Sequence, residues 1–544
     1  MFNQGVVLDL VVVAVYFLII VSIGLWMGRK NRSMDDFALG GRSIPWWAVL
    51  ASILAAEISA GTFFGVPGDG YALKNYTYIQ LIVGYLLARV VVSAFFVPAF
   101  YKYNVVSIYE FLGTRFGQRT RHWASGVFLL TRVLASGARL WVPTIMLVLL
   151  WHLAYPNTTL TLWNEFFMTG AALLFVVIAT SLYTAVGGIK AVIWTDVIQI
   201  MVLFCAIGFS LYYLLGHIPG GWEGAKSVLQ GPHDLQVWDH GLSAERGVWE
   251  NIKHVLESEY TIWAAFLGST FVTLATHGTD QDMVQRMLTA KNPRQSAVAT
   301  ILSGLADIPV VLIVLTIGIL LSVYYQANPD PLLPRNEKGV VFANKVFPHF
   351  VLTVMPAGLR GLVIAGVLAT TMGSLSTALN SLATSYVRDF HFRWFGPPVD
   401  ERAEVSAMRI GTGVFALFLI GVALGTSYVS LHHPELRILP IILGIFGYTY
   451  GSLLGVFIVG LFTKTRGNDT GNLIAMVSGF VVVAYLSGLD LALGKMVGLH
   501  FEHPAWVPEI EFPWRIMFGT VVTVAVALCF KSEPAKQSDR PREA

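Results

Sequence analysis

Residues 45–68 read PWWAVLASILAAEISAGTFFGVPG. The run is long and apolar enough to cross a bilayer, since a spanning helix needs roughly 20 predominantly apolar residues for a hydrocarbon core of about 30 Å. Its middle, however, carries Glu57 and Ser59-Ala60-Gly61-Thr62, and its end carries Gly65, Pro67 and Gly68. Backbone polar groups leave a regular helix at membrane depth only where protein or a water-filled cavity satisfies them. The pattern therefore predicts a membrane helix broken where a polar ligand sits. A carboxylate at that depth costs free energy and marks function by default, so Glu57 is the first candidate functional residue.

The rest of the chain agrees with a membrane setting. Of its 544 residues, 55% are hydrophobic and 13% charged. About thirteen segments are long and apolar enough to span, from 8–28 and 45–66 to 514–530; 164–185 and 189–216 read as separate spans and 350–386 as one. The fold class is an all-α polytopic membrane protein. Basic residues recur in every second loop: Arg29, Lys30, Arg32 and Arg42; Lys102, Arg115, Arg119 and Arg121; Arg286, Lys291 and Arg294; and so on to Lys531, Arg540 and Arg542. Cytoplasmic loops are enriched in Lys and Arg, so an odd number of spans places the N-terminus outside and the C-terminus inside. The first span lacks a basic region before it and is read as a retained anchor rather than a signal peptide. Cys205 and Cys529 both fall in apolar spans, which argues against a disulfide framework or a cysteine metal site. The net charge of +3 is accounted for by the loops and does not point to nucleic acid.

A second interruption follows in the seventh span, where Thr273, Thr276, His277, Gly278 and Thr279 precede Asp280-Gln281. Two broken spans five helices apart suggest two inverted five-helix repeats, with a site at their interface near the midplane. The run TTMGSLSTALNS at 370–381 is the third informative segment. At about 3.6 residues per turn, Thr370, Ser374, Thr377 and Ser381 share one face. Small residues of this kind serve close helix packing, and a ladder of oxygens beside a broken helix equally suits a hard cation. Other charges within spans include Arg89, Arg132, Arg139, Asp196 and Asp307. Such groups usually pair inside the bundle, and structural ion pairs are the reading for Arg89, Arg132 and Asp307. Arg139, near mid-span beside Gly137, is a candidate for an anionic ligand. Asp196 suits a cation ligand or a protonatable relay.

Three strings then occur in order: Gly40-Gly41-Arg42-Ser43, YTAVGGIKAVIWTD at 183–196, and DQDMVQR at 280–286. Together with SIYEFL at 107–112 and the glycines at 451, 455 and 460, they resemble the sodium:solute symporter family over essentially the whole chain. The resemblance implies a leucine-transporter-like fold. Residues 1–44 then form an extra transmembrane helix and first cytoplasmic loop, 45–253 the first repeat with its following outer loop, and 254–466 the second repeat. Residues 467–533 form two further helices, and 534–544 a short cytoplasmic tail. The resemblance also implies a first sodium site made by the carbonyls of Ala55 and Ile58 with Thr370, Gly373 and Ser374. Gly373 departs from the hydroxyl residue that many relatives have there, which leaves one oxygen missing. Glu57 is a coupling residue on this reading, adding negative charge beside the site; the same deficit alternatively points to weak sodium binding or to a proton in sodium's place. A possible second sodium site uses Asp196, Ser376 and Thr377.

Solute contacts are expected between the two breaks, at Ser59, Thr62, Phe63, Thr273 and Thr276, with Arg139 suited to a carboxylate. Half-helix N-termini present free N–H groups that favour anionic or strongly polar solutes. The expected function is sodium-coupled symport of a small polar organic solute by alternating access, with an organic anion ahead of a sugar or polyol. A proton-coupled transporter of the same fold and a transport-defective sensor are the alternatives. The chain is not expected to be an enzyme, because His277 with Asp280 is the one pairing in the spans that resembles catalytic machinery. Sodium is the one metal expected, without an organic cofactor, in a monomer that crosses the cell membrane many times.

Overall fold

The computed structural model describes residues 4–28, 33–154, 161–335, 339–396, 398–432, 444–496, 498–499, 502–504 and 506–532. Arg29, Lys30, Arg32, positions 436–443 of the predicted span 436–462, and the tail 534–544 with Arg540 and Arg542 lie outside the described residues. The described residues are 80% helical and form no strands. The elements that build the site are α1 (Gln4–Met27), α2 (Trp46–Glu57), α3 (Ala60–Leu73), α4 (Leu81–Val91), α5 (Gln118–Ala154), α6 (Leu162–Gly216), α7 (Ser269–Gly278), α8 (Gln281–Met287), α9 (Pro293–Ala327), α10 (Leu359–Tyr386), α11 (Glu401–His432), α12 (Ile445–Phe462), α13 (Asp469–Leu486) and α14 (Phe512–Leu528). Among the described residues, 8 helices are long and apolar enough to cross a membrane, or up to 9 if the bent pair of α2 and α3 counts as one span.

The predicted break in the opening stretch is present. α2 stops at Glu57, α3 starts at Ala60, and the two axes bend by 63°. Ile58 (φ −80°, ψ 88°) and Ser59 (φ −85°, ψ 166°) leave the helical region. Ser59 then caps α3 by accepting the Thr62 N–H at 3.4 Å, the usual role of serine at a helix start. The interruption expected within the seventh span differs: α7 is continuous through Thr273, Thr276 and His277 and ends at Gly278, where that span ends, after which Asp280 caps the short α8 by accepting the Asp282 N–H at 2.9 Å.

Of two further sequence expectations, one holds and one changes. The spans expected at 164–185 and 189–216 are the two arms of the 55-residue α6, which meet at Gly188, where the backbone leaves the helical region (φ 55°, ψ −156°). At about 1.5 Å per residue, such a length far exceeds one bilayer crossing, so the kink is where the path turns. That backbone region is essentially reserved for glycine, and a Cβ here would lie 2.6 Å from the Phe37 carbonyl oxygen. Gly188→Ala is expected to destabilise the fold by about 1–3 kcal/mol, read as a lower melting temperature in detergent; an unchanged melting curve would mean that the kink tolerates a side chain.

The stretch expected as one span at 350–386 is two helices. Ala343–Thr353 ends before Pro356, and α10 begins after Gly358 (φ 84°). The start of α10 is held by Asp9 of α1, whose Oδ1 accepts the N–H groups of Gly358 and Gly361 at 2.8 Å each. Arg360 closes the junction on the same carboxylate at 2.6 Å. The body of α10 is almost wholly buried, packed against α6, α1, α5 and α11. Its run of Gly, Ala, Ser and Thr allows this close approach on every side.

Candidate functional site

The break between α2 and α3 frees two carbonyls. The Ser59 N–H, which would bond Ala55 in a continued helix, instead reaches the Glu57 carbonyl at 3.0 Å. The Thr62 N–H, which would bond Ile58, is taken by the Ser59 hydroxyl. Ala55 and Ile58 are both buried, and a buried carbonyl without its donor is costly unless something replaces it.

Beside the break lies a cavity of about 590 Å3. Glu57, Ile58, Ser59, Thr62, Phe63, Arg139, Thr273, Thr276 and Ser374 all line it, so one space collects every solute contact read from the sequence. Phe63 anchors its wall, edge-on to Phe64 and tilted against Phe347. Ser59 is engaged by its capping bond, and Thr276 meets His277 Nδ1 at 3.1 Å. Ala55, Thr370, Gly373, Asp196, Ser376 and Thr377 stand behind this wall rather than on it. The hydroxyls of Thr370, Ser374, Ser376 and Thr377 donate to carbonyls of their own helix at 2.8–3.1 Å, leaving their oxygens able to accept from a donor or a cation.

Two buried charge networks flank the cavity. In the first, Arg89 of α4 pairs with Glu57 and, at 2.9 Å, with Asp307 of α9, while His277 Nε2 lies 2.8 Å from the same Glu57 oxygen. Glu57 is thereby tied to three other helices. A Cβ built on Gly373 would meet atoms of Gln199, Asp196 and Ala55, and none of Glu57. In the second network, Arg132 of α5 pairs with Asp280 and, at 3.0 Å, with Asp282. Tyr450 donates to Asp280 at 2.8 Å, and Arg286 stands 3.6 Å from both Asp282 and Asp196. Asp196 also accepts the Ser52 hydroxyl at 2.5 Å.

Arg139 differs from its neighbours. Its guanidinium lies over the Phe446 ring, 4.8 Å from the centroid, and is exposed to the cavity. No carboxylate among the described residues lies within ion-pair distance of it. Asp282 and Gln199 stand beside the site without having been singled out from the sequence, and Asp280, paired there with His277, meets Arg132 and Tyr450 instead. Asp280 and Asp282 were quoted there within a motif, whereas Gln199 carried no signal beyond being a polar residue inside an apolar span.

The model of the sodium:solute symporter family matches residues 37–479. A sodium/sialic acid symporter of Aliivibrio fischeri is 28% identical over 89% of this chain and 88% of its own length. A sodium/glucose cotransporter of Vibrio parahaemolyticus is 28% identical over 90% of this chain and 87% of its own. Among solved structures, the substrate-bound outward-open state of a Na+-coupled sialic acid symporter superposes with a TM-score of 0.77 at 22% identity, covering 96% of this chain and 97% of that one. These likenesses place the chain among transporters of the leucine-transporter fold, not among enzymes.

Proposed function

Because the chain belongs to the sodium:solute symporter family, we propose that it is a multi-pass sodium-coupled symporter of the cell membrane that imports a small organic anion by alternating access. The two relatives named above carry an acid and a neutral sugar respectively, so relationship alone does not choose the solute. The observation that carries the choice is Arg139, a guanidinium facing the cavity over Phe446 with no carboxylate of the described residues within ion-pair distance. A cation left without a partner in a low-dielectric site favours an anionic ligand, and the planar fork of arginine matches a carboxylate. Ser59, Thr62, Thr273 and Thr276 supply neutral hydroxyls on the same cavity, which supports a sugar or polyol as the second reading.

Sodium on the freed carbonyls of Ala55 and Ile58, with Thr370 and Ser374 from α10, would tie the broken helix to the buried one. A ligand shifts a conformational equilibrium only by its difference in affinity between the states. Sodium bound outside would therefore hold the outward-facing state, and its loss to the low-sodium interior would release the solute. On this reading the chain crosses the membrane thirteen times as a monomer, with its N-terminus outside, and Glu57 links ion and solute through His277 and Arg89.

The test begins with a thermal-shift screen of carboxylates, sugars, amino acids and vitamins on the purified protein, with and without sodium. Uptake of the stabilising solute into proteoliposomes is then driven by a sodium gradient or by a proton gradient of equal size. Sodium-driven accumulation of a carboxylate is expected; uptake that ignores sodium and follows the proton gradient would refute the coupling.

A further inference from the structure

The basic end of the bundle holds a second hollow, of about 410 Å3, apart from the solute cavity. It lies between the start of α5, the start of α13 and the helical segments Val387–His391 and Phe392–Phe395 that continue α10. Arg119, His122 and Trp123 of α5, Phe390 and Arg393 of the continuation, and Leu473 of α13 line it.

The arginines of this end fall into two groups. Arg121 is paired with Asp389 at 2.7 Å and with Glu110 at 3.4 Å, and Arg388 is paired with Glu110. Arg119 and Arg393 are exposed and both border the hollow, and among the described residues neither has a carboxylate within ion-pair distance. Asp469 is near Arg119 in space, but its carboxylate is committed to the start of α5. Its Oδ1 accepts the Thr120 N–H at 2.6 Å and the Thr120 hydroxyl at 2.7 Å, and its Oδ2 accepts the Arg119 backbone N–H at 3.2 Å. Arg393 Nη1 lies 2.9 Å from His122 Nδ1, a contact that a guanidinium makes with the lone pair of a neutral imidazole. The hollow thus gathers two positive charges with no acid on its described lining.

Apolar surface continues from the hollow along both long helices. Trp123 and Leu130 are exposed two turns apart on α5, Ile474 and Val477 are exposed one turn apart on α13, and α5 packs against α13. Trp394, also exposed, follows Arg393 directly. Tryptophan collects at the level of lipid headgroups, and basic residues at the cytoplasmic side. Arginine's planar fork matches phosphate as it matches carboxylate, and basic pockets between membrane helices suit anionic headgroups.

We propose that this hollow binds the phosphate headgroup of an anionic phospholipid of the cytoplasmic leaflet, with Arg119 and Arg393 as its ligands and the acyl chains along Leu130, Ile474 and Val477. Arg393 stands on the continuation of α10, so the bound lipid ties the inner end of that buried helix to α5 and α13. The apolar path beside the two guanidiniums is what favours a lipid over a soluble anion.

The experiment titrates the purified full-length protein with phosphatidylglycerol, with phosphatidylcholine of the same acyl chains and with glycerol phosphate. Native mass spectrometry reads the bound molecule, and thermal unfolding in detergent reads its effect. Phosphatidylglycerol is expected to bind about 10–100-fold more tightly than phosphatidylcholine and to raise the melting temperature. Arg393→Gln should weaken phosphatidylglycerol binding by about 10-fold and R119Q/R393Q by about 100-fold, the loss of one and of two contacts to a charged group, with phosphatidylcholine unaffected. Arg393→Lys keeps the charge and should retain most of the affinity. Arg409→Gln, at an exposed arginine of α11 that does not line the hollow, should change nothing.

Equal binding of the two lipids would overturn the proposal, as would an Arg393→Gln or R119Q/R393Q protein that binds phosphatidylglycerol as the wild type does. Equal losses in R119Q/R393Q and Arg409→Gln would identify bulk attraction to a basic surface and overturn it too. Glycerol phosphate that binds as tightly as phosphatidylglycerol and displaces it would make the hollow a site for a free anion rather than a lipid. If the double variant fails to fold, the comparison of lipids on the wild type and the single variant Arg393→Gln decide.

Discussion

Arg89→Met is expected to destabilise the protein by about 3–5 kcal/mol, the cost of breaking a buried ion pair by removing one partner. The side chain of Arg89 is 1% exposed, and a single guanidinium nitrogen serves Glu57 and Asp307 together. Its loss leaves two carboxylates facing each other in a low-dielectric interior, with His277 the one partner of Glu57 that remains among the described residues. Arg89→Lys should do less harm, since it keeps the charge on a shorter-branched head that lacks the guanidinium fork. Thermal unfolding in detergent measures both. Adding Asp307→Asn to Arg89→Met should recover part of the lost stability, because it removes the orphaned charge. Strict additivity of the two substitutions would mean that they do not interact.

Arg139→Gln is expected to raise the half-saturating concentration of the carboxylate solute by about 10–100-fold, the range for losing a hydrogen bond to a charged group. The fold should hold, because Arg139 rests on Phe446 and is not paired to a buried acid. Sodium binding in the absence of solute should be unchanged. Titration of wild type and variant with the solute found by thermal shift, at fixed sodium, separates the two effects. If the stabilising solute is a neutral sugar and Arg139→Gln binds it as tightly, the anionic reading fails and the hydroxyls of Ser59, Thr62, Thr273 and Thr276 become the principal contacts.

Parts of the site were legible in the chain because they depend on neighbours in sequence. The break at Ile58–Ser59 showed as an apolar run interrupted by Glu57, Ser59 and Gly61, and the break after Gly278 as a cluster of threonines ahead of Asp280. Pro356 and Gly358 signalled the end of the helix before α10, yet the apolar residues on both sides hid the turn inside one predicted span. Asp9 was hidden in the same way. It lies in the most apolar of the described candidate spans, and its purpose shows only where the start of α10 arrives to donate two N–H groups.

The amino-acid sequence by itself determined that this is a helical membrane protein with an interrupted helix at Glu57–Ser59, a small-residue helix rich in hydroxyls, and a few charges that bilayer burial makes expensive. Those are properties of composition and spacing along one dimension. Tertiary structure alone decided which charges meet. Arg89 joins Glu57 to Asp307, which lies 218 residues further along the chain than Arg89, Arg286 approaches Asp196, and Arg139 is left facing the cavity. It also brought Gln199 opposite Gly373. The physical reason is that a helix's tendency to form or break is set within a few residues, whereas the energy of a buried charge is set by distances of a few ångströms to groups on other helices.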